Sequence, residues 1–109
     1  MDFTEYQRLA QRTSNTRLAV DKLFNGALGL SGESGEVADL VKKYMYQGHT
    51  LNDAEIINEC GDVLWYIAEI ATAFNVSLED IAVRNIEKLK KRYPDGFDST
   101  RSIDRGTEK

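Results

Sequence analysis

The chain has 109 residues, enough for one domain with a modest core, with 41% hydrophobic residues, 29% charged residues and a formal net charge of −4. The acidic balance argues against a nucleic-acid binder, whose affinity comes largely from Lys and Arg, and no apolar run approaches the ~20 residues that cross a bilayer. The N-terminus lacks the pattern of a signal peptide and the single cysteine cannot form an intramolecular disulfide, so we expect a cytoplasmic protein that binds neither membranes nor nucleic acids.

Four amphipathic helices are predicted, which favours an all-α fold. Asp2 or Thr4 can cap the first helix, and the polar residues 14–16 end it because their side chains compete for backbone hydrogen bonds. The second helix is predicted over residues 21–47. Gly48 follows it, in the position past a helix end that glycine favours.

The first half of the second helix has a glycine at every third position, at 26, 29, 32 and 35. Each glycine destabilises a helix interior by ~1 kcal/mol relative to alanine, so helix propensity predicts a weak or kinked segment. Two interpretations remain open. The glycines form a smooth ridge that another backbone or a ligand approaches closely, or they belong to a frayed segment or loop before a shorter helix.

The third helix is predicted over residues 53–74 and carries a broad apolar arc. The arc contains residues spaced by three and four: Ile56, Cys60, Val63, Leu64, Ile67, Ile70, Ala71 and Phe74. An arc of this breadth suits a bundle interior or a subunit interface, and Cys60 is predicted to point to the core. Trp65 lies outside the arc. Because an exposed tryptophan is unusual, Trp65 is predicted to lie in an interface or a pocket.

The fourth helix is predicted to begin after Ser77, because Ser77 and Asp80 resemble a capping box, and to end before Pro94. The predicted domain covers residues 1–97. The remaining segment, 98–109, is polar and is predicted to be a mobile tail or an oligomer arm.

Two pairs of acids, Glu33 with Glu36 and Glu59 with Asp62, differ from the other acids in their surroundings. Residues three apart on a helix are surface neighbours, and none of the four has a basic residue three or four positions away, whereas Asp39 has two lysines one turn on. Carboxylates that are desolvated together destabilise a fold by several kcal/mol per ion unless a cation compensates. The pattern therefore favours a site for a divalent metal. The alternative is that the acids are partly exposed and pair with basic side chains from other helices or subunits.

Carboxylate ligands favour Mg²⁺ or Mn²⁺, shared with substrate phosphates. The single histidine, His49, lies in a predicted loop, so neither a zinc site nor the Glu-x-x-His pairs of a di-iron bundle fit. Asn85, Lys88 and Arg92 form a polar stripe on the fourth helix, and Lys and Arg suit phosphate oxygens. A solvated basic face near a helix C-terminus is an equally good interpretation of this stripe.

Three segments, 30–38, 59–66 and 85–94, resemble in order the signature of the MazG-like all-α nucleoside triphosphate pyrophosphohydrolases. The likeness covers most of residues 3–97. It implies a bundle of four to five helices that is completed by homo-oligomerisation, as a homodimer or homotetramer, and the short linker between the acidic motifs implies no inserted lid.

The resemblance also implies an activity, the Mg²⁺-dependent hydrolysis of a (d)NTP between its α- and β-phosphates to a (d)NMP and pyrophosphate. It assigns the metal to four acids: Glu33, Glu36, Glu59 and Asp62. It assigns phosphate contacts to Lys88 and Arg92 on the fourth helix, and Asn85, on the same stripe, is predicted to join them. The general base would be Glu33 or Glu36, and the sequence does not choose between them.

Two alternative functions remain open, a phosphoribosyl-ATP pyrophosphohydrolase of the same superfamily and a non-catalytic helical interaction module. The sequence does not give the base or sugar of the nucleotide. Trp65 is the candidate for stacking on the base, together with Phe3, Tyr44 and Tyr66, and each of these is equally credible as a packing residue.

Overall fold

The computed structural model describes residues 1–105 of the chain. This part contains five helices, in chain order α1 (Phe3–Gln11), α2 (Ala19–Tyr46), α3 (Asp53–Ala73), α4 (Leu78–Arg92) and α5 (Ser99–Ile103). The all-α fold predicted from the sequence is therefore confirmed. None of the helices in the described part combines the length and the apolar character that a membrane span requires.

The chain divides into two compact units, Met1–Leu78 and a second that begins at Glu79. The first contains α1, α2 and α3, and the second contains most of α4 together with α5. Helix α5 lies inside the segment 98–109 that the sequence predicts as a mobile tail. Asp98 caps it, because its carboxylate accepts two backbone hydrogen bonds from the first turn. Residues 106–109 of the predicted tail lie outside the described part.

Local signals fix the helix ends close to where the sequence predicts them. The side chains of Asp2 and Asn52 each accept a hydrogen bond from the backbone N–H three residues on, at 2.8 and 3.3 Å, and so cap α1 and α3. Gly48 has a φ of 73° just past α2, in the left-handed region that glycine tolerates. Helix α4 begins directly after Ser77 and ends before Pro94.

Helix α2 runs without a break through its glycines, so the interpretation as a loop before a shorter helix is wrong. A Cβ built on Gly26 would lie 3.1 Å from the carbonyl oxygen of Tyr66 and 3.2 Å from the backbone nitrogen of Ile70, closer than side chains normally pack. At Gly29 a Cβ would overlap the ring of Tyr66. These two glycines therefore form the smooth ridge that the sequence suggested, and α3 is the element that approaches it.

The Gly29→Ala variant is expected to lower the free energy of unfolding by roughly 1–3 kcal/mol, because the added methyl group overlaps the Tyr66 ring. Gly32→Ala is the matched control in the same helix, since a Cβ there meets no described atom within 4 Å. Better helix propensity should leave its stability unchanged or raise it by up to ~1 kcal/mol. Urea unfolding measures both variants, and equal stabilities would contradict the close approach of α3 at Gly29.

The core of the first unit lies where α1 crosses the second half of α3. Its buried residues are Ala10, Ala68, Ala71 and Leu78, with Tyr6, Leu64, Trp65, Ile67 and Val76 packed around them. Hydrogen bonds between α1 and α3 begin at Trp65 and continue to Thr72. Cys60 precedes this region by more than one turn and is exposed, so the prediction that it points to the core is wrong. Phe74, also assigned to the apolar arc, is 62% exposed in the single chain.

Candidate functional site

Three carboxylates from two helices converge in the first unit. Oxygen atoms of Glu33, Glu59 and Asp62 lie within 4.8 Å of one another. Glu33 lies on α2, while Glu59 and Asp62 lie one turn apart on α3, so the antiparallel packing of the two helices brings the acids together. Glu33 and Glu59 are half-buried, and Asp62 is exposed.

The close approach of these carboxylates affects the pKa of one of them. The pKa of Glu59 is raised above its ordinary value, first by a hydrogen bond with Glu33, then by desolvation, and then by the charges of Glu33 and Asp62. The negative potential extends to α1, where burial and then the charge of Asp62 raise the pKa of Tyr6. A cation would relieve this repulsion, as the sequence argument anticipated.

The donor set of the acid cluster fits Mg²⁺ or Mn²⁺. All three side chains offer carboxylate oxygens, the hard ligands that these cations prefer. Glu33, Glu59 and Asp62 would hold such a cation through one carboxylate oxygen each, since these oxygens already lie within 4.8 Å of one another.

Glu36, the fourth predicted ligand, is exposed and does not belong to the group of converging oxygens. It follows Glu33 by one turn on α2. Asp39, one turn further, pairs with Lys42 at 3.3 Å and with Lys43 at 2.9 Å. Asp39 is therefore paired with the two lysines that the sequence places one turn on.

A cavity of about 340 Å³ adjoins the acid cluster. Its lining contains the two acids Glu33 and Asp62 together with Thr13, Trp65 and Tyr66. The indole Nε1 of Trp65 donates to the backbone carbonyl of Ala10 at 3.0 Å and to Thr13 Oγ1 at 2.9 Å. The Tyr66 ring meets the indole edge-on, with centroids 5.1 Å apart. Trp65 is thus a pocket residue, one of the two roles predicted for it.

The predicted phosphate-binding stripe lies on α4. Asn85 and Lys88 are exposed, and Arg92 is half-buried in the last turn, with its guanidinium 5.9 Å from the centroid of the Tyr93 ring. Lys88 also lines a shallow, mainly cationic depression together with Arg84, Glu87, Lys90 and Lys91. The role of the stripe in binding phosphate stays a prediction.

A buried acid, Glu69 on α3, was missed by sequence reasoning. Its side chain is fully buried, and its carboxylate accepts hydrogen bonds of 2.9–3.2 Å from Gln11, Ser14, Thr16 and Asn25. Lys22 Nζ lies 3.7 Å from Glu69 Oε1. Burial alone would raise the pKa of Glu69, but the hydrogen bonds and the Lys22 charge outweigh it, and the pKa is lowered overall.

Glu69 had a recognisable signal in the sequence. It follows Asp62 by seven residues and Trp65 by four, so the three side chains lie on one face of α3. It also lies in an otherwise apolar stretch, residues 67–71, where an acid is expected to be paired if it is buried.

Comparisons with known proteins identify the second to fourth helices as a known domain. The model of the MazG nucleotide pyrophosphohydrolase domain matches residues 25–97. The chain is 34% identical over 82 residues to the Gene 37 protein of Mycobacterium phage L5, covering 72% of each chain. It is 36% identical over 73 residues to the Uncharacterized protein YvdC of Bacillus subtilis (strain 168), covering 59% of this chain and 69% of that protein. No solved structure matches the chain significantly.

Proposed function

Because the chain belongs to the MazG nucleotide pyrophosphohydrolase domain family, we propose that it hydrolyses a nucleoside or deoxynucleoside triphosphate between the α- and β-phosphates. The products are the nucleoside monophosphate and pyrophosphate. The observation that carries the proposal is the convergence of Glu33, Glu59 and Asp62 beside a cavity with an aromatic wall. Acids that attract a cation, next to flat apolar rings, suit the phosphate and base ends of one nucleotide.

The three converging acids, with Glu36 as a fourth, are the proposed ligands of Mg²⁺ or Mn²⁺. When bound, such a cation neutralises charge on the phosphate chain and lowers the pKa of water. The carboxylate of Glu33 or Glu36 takes the proton of the water that attacks the α-phosphorus. Glu36 suits this role because it is exposed and lies one turn from Glu33.

Asn85, Lys88 and Arg92 are the proposed contacts of the phosphate chain. The spacing of three and four residues puts them on one face of α4, and the exposure of Asn85 and Lys88 supports a role in binding a ligand. Their contribution is electrostatic. Lys supplies a point charge and Arg a bidentate hydrogen-bond donor, and both stabilise the negative charge that develops on the departing pyrophosphate.

The aromatic wall is the proposed binding surface for the base. A cavity of about 340 Å³ is in the range typical of small-molecule sites, roughly 300–1,000 Å³. The Nε1 of Trp65 already donates to α1 and its loop, so the apolar ring, which lines the cavity, is the part of this side chain that is proposed to contact the base by stacking.

Product analysis of the wild-type protein tests the proposed function. A panel of NTPs, dNTPs and phosphoribosyl-ATP is incubated with the protein and Mg²⁺ or Mn²⁺, and the products are separated by anion exchange. We expect a nucleoside monophosphate and pyrophosphate in equal amounts from at least one triphosphate. Release of a nucleoside diphosphate with orthophosphate would refute α–β cleavage. Absence of turnover with both metals would refute an enzymatic function.

A second copy of the chain is the proposed partner, in a homodimer or homotetramer. Val20, Phe24 and Leu28 form a stripe along α2 and are 50%, 60% and 75% exposed in the single chain. A continuous exposed apolar stripe marks an interaction surface. Light scattering after size exclusion should give at least a dimer for the wild type and a smaller species for Leu28→Glu. A monomeric wild type would contradict the proposal.

A further inference from the structure

The buried carboxylate of Glu69 is bonded to the loop that joins α1 to α2, residues 12–18, and this loop carries part of the cavity wall. We propose that Glu69 is a positioning residue, which holds this loop so that Thr13 fixes the indole of Trp65 as the wall for the base. The inference rests on the proposed function, since it concerns the substrate cavity of that site.

The loop is tied to Glu69 by two hydroxyl groups. Ser14 Oγ donates to both carboxylate oxygens, at 2.9 and 3.0 Å. Thr16 Oγ1 lies 3.2 Å from Oε2. Because Glu69 is fully buried, these bonds are shielded from water, and a loop residue that left its place would leave a buried charge with fewer donors.

Lys22 holds the same loop from α2. Its Nζ donates to the backbone carbonyl of Thr16 at 2.9 Å and to the side chain of Gln11 at 2.8 Å, and it lies 3.7 Å from Glu69 Oε1. The loop is therefore hydrogen-bonded to a cation on α2, Lys22, and to an anion on α3, Glu69. Such a double attachment restricts the loop before any ligand arrives, which is preorganisation.

Thr13 transmits the position of the loop to the cavity. It precedes Ser14 directly, and its hydroxyl donates to the carbonyl of Ala10 at 3.0 Å while accepting from Trp65 Nε1 at 2.9 Å. The hydroxyl proton is therefore already used, and the oxygen acts as an acceptor for the indole. Thr13 and Trp65 line the cavity together with Glu33 and Asp62, two of the three acids of the cluster.

Stability alone is a weak reason for this network. A buried ion pair is often no more stabilising than apolar residues of similar volume. The pair of Glu69 and Lys22 is bonded to a loop at the cavity, so a role in positioning that loop is the better explanation. The loop and Lys22 also precede residues 25–97, the stretch that matches the domain family. The network thus adds a wall to the site that the matched stretch alone does not supply.

Kinetics and fluorescence of Glu69→Gln and Thr13→Val test the inference. Thr13→Val removes one of the two hydrogen bonds that hold the indole, the other being to the carbonyl of Ala10. Because Thr13 is exposed, this variant tests the inference even if Glu69→Gln fails to fold. We expect both to raise KM for the triphosphate roughly tenfold or more and to leave kcat within about twofold, the pattern of lost binding to substrate and transition state alike. Glu69→Asp should restore part of the affinity. Trp65 is the only tryptophan, and its emission should move to longer wavelength in both variants.

Gln7→Leu is the matched control. Gln7 ties α1 to the turn after α3 through hydrogen bonds of 2.8–3.1 Å with Thr72, Val76 and Leu78, so its loss weakens the same helix pair without touching the loop. It should lower the melting temperature but leave KM and Trp65 emission unchanged. A KM change in Gln7→Leu equal to that in Glu69→Gln, or an unchanged KM in Thr13→Val, would overturn the inference. If the wild type turns over no triphosphate, the proposed function fails, and unchanged Trp65 emission in both variants would separately overturn the positioning role.

Discussion

Asp62→Asn is expected to lower kcat/KM for pyrophosphate release by about 10³-fold, which corresponds to ~4 kcal/mol of transition-state stabilisation. Asp62 supplies one of the three converging carboxylates, and the substitution keeps its shape while removing its charge. The remaining acids would hold a cation less tightly. Steady-state kinetics over a range of Mg²⁺ concentrations measures the loss.

The fold should survive this substitution. Asp62 is exposed, and its charge is one cause of the raised pKa of Glu59, so its removal relieves repulsion in the metal-free protein. We therefore expect a free energy of unfolding at neutral pH that is equal to that of the wild type or higher. Asp39→Asn is the control on α2, because Asp39 is a partly exposed acid that is already paired with two lysines, and it should keep kcat/KM within about twofold. Wild-type turnover in Asp62→Asn would remove the acid cluster from the mechanism.

Glu69→Gln is expected to lower the free energy of unfolding by about 3 kcal/mol. The change breaks a buried ion pair and leaves Lys22, whose side chain is only 14% exposed, without its counter-charge. Glu5→Gln is the control, because Glu5 forms an exposed pair with Arg8 at 3.3 Å, and such pairs contribute about 0–1 kcal/mol. Urea unfolding compares the two. Similar small losses in both would show that the buried network does not stabilise the fold.

The loss in Glu69→Gln should depend on pH. The pKa of Glu69 is lowered in the folded chain, so folding favours its ionised form. This contribution is fully present above the unfolded pKa of about 4.3 and is lost as the pH falls through the folded value. The difference in stability between the wild type and Glu69→Gln should therefore shrink below about pH 4. A difference that stays constant into acid would attribute the effect to packing instead of charge.

The helices could be predicted well because their limits depend on neighbouring residues. Asp2 and Asn52 cap with the N–H three positions on, and Gly48 ends α2 through its own backbone conformation. The exposure of Cys60 could not be predicted in this way. It depends on how far along α3 the helix α1 reaches, which is a matter of tertiary packing that the apolar periodicity of α3 does not contain.

In the candidate site, too, the features that depend on neighbouring residues were predictable and those that depend on tertiary packing were not. The acids Glu33, Glu59 and Asp62 were identified because they lack basic neighbours along their own helices, and the structure brings them together. Glu36 shares a helix face with Glu33, but whether its carboxylate reaches the others depends on how α2 lies against α3. Helix spacing could place Glu69 on the face of Asp62 and Trp65, but it could not identify its loop partners. Ser14 and Thr16 lie 55 and 53 residues earlier in the chain, beyond the reach of helix-spacing rules.

Titration calorimetry with Mn²⁺ and Mg²⁺ tests the central claim most directly, namely that the acid cluster binds a divalent cation together with a nucleotide. The titrations use the wild type, Asp62→Asn and Asp39→Asn, with and without a triphosphate analogue that carries a non-hydrolysable α–β bridge. We predict binding by the wild type and by Asp39→Asn that tightens with the analogue, and an affinity at least about tenfold weaker in Asp62→Asn. Equal cation affinity in Asp62→Asn and the wild type would contradict the account.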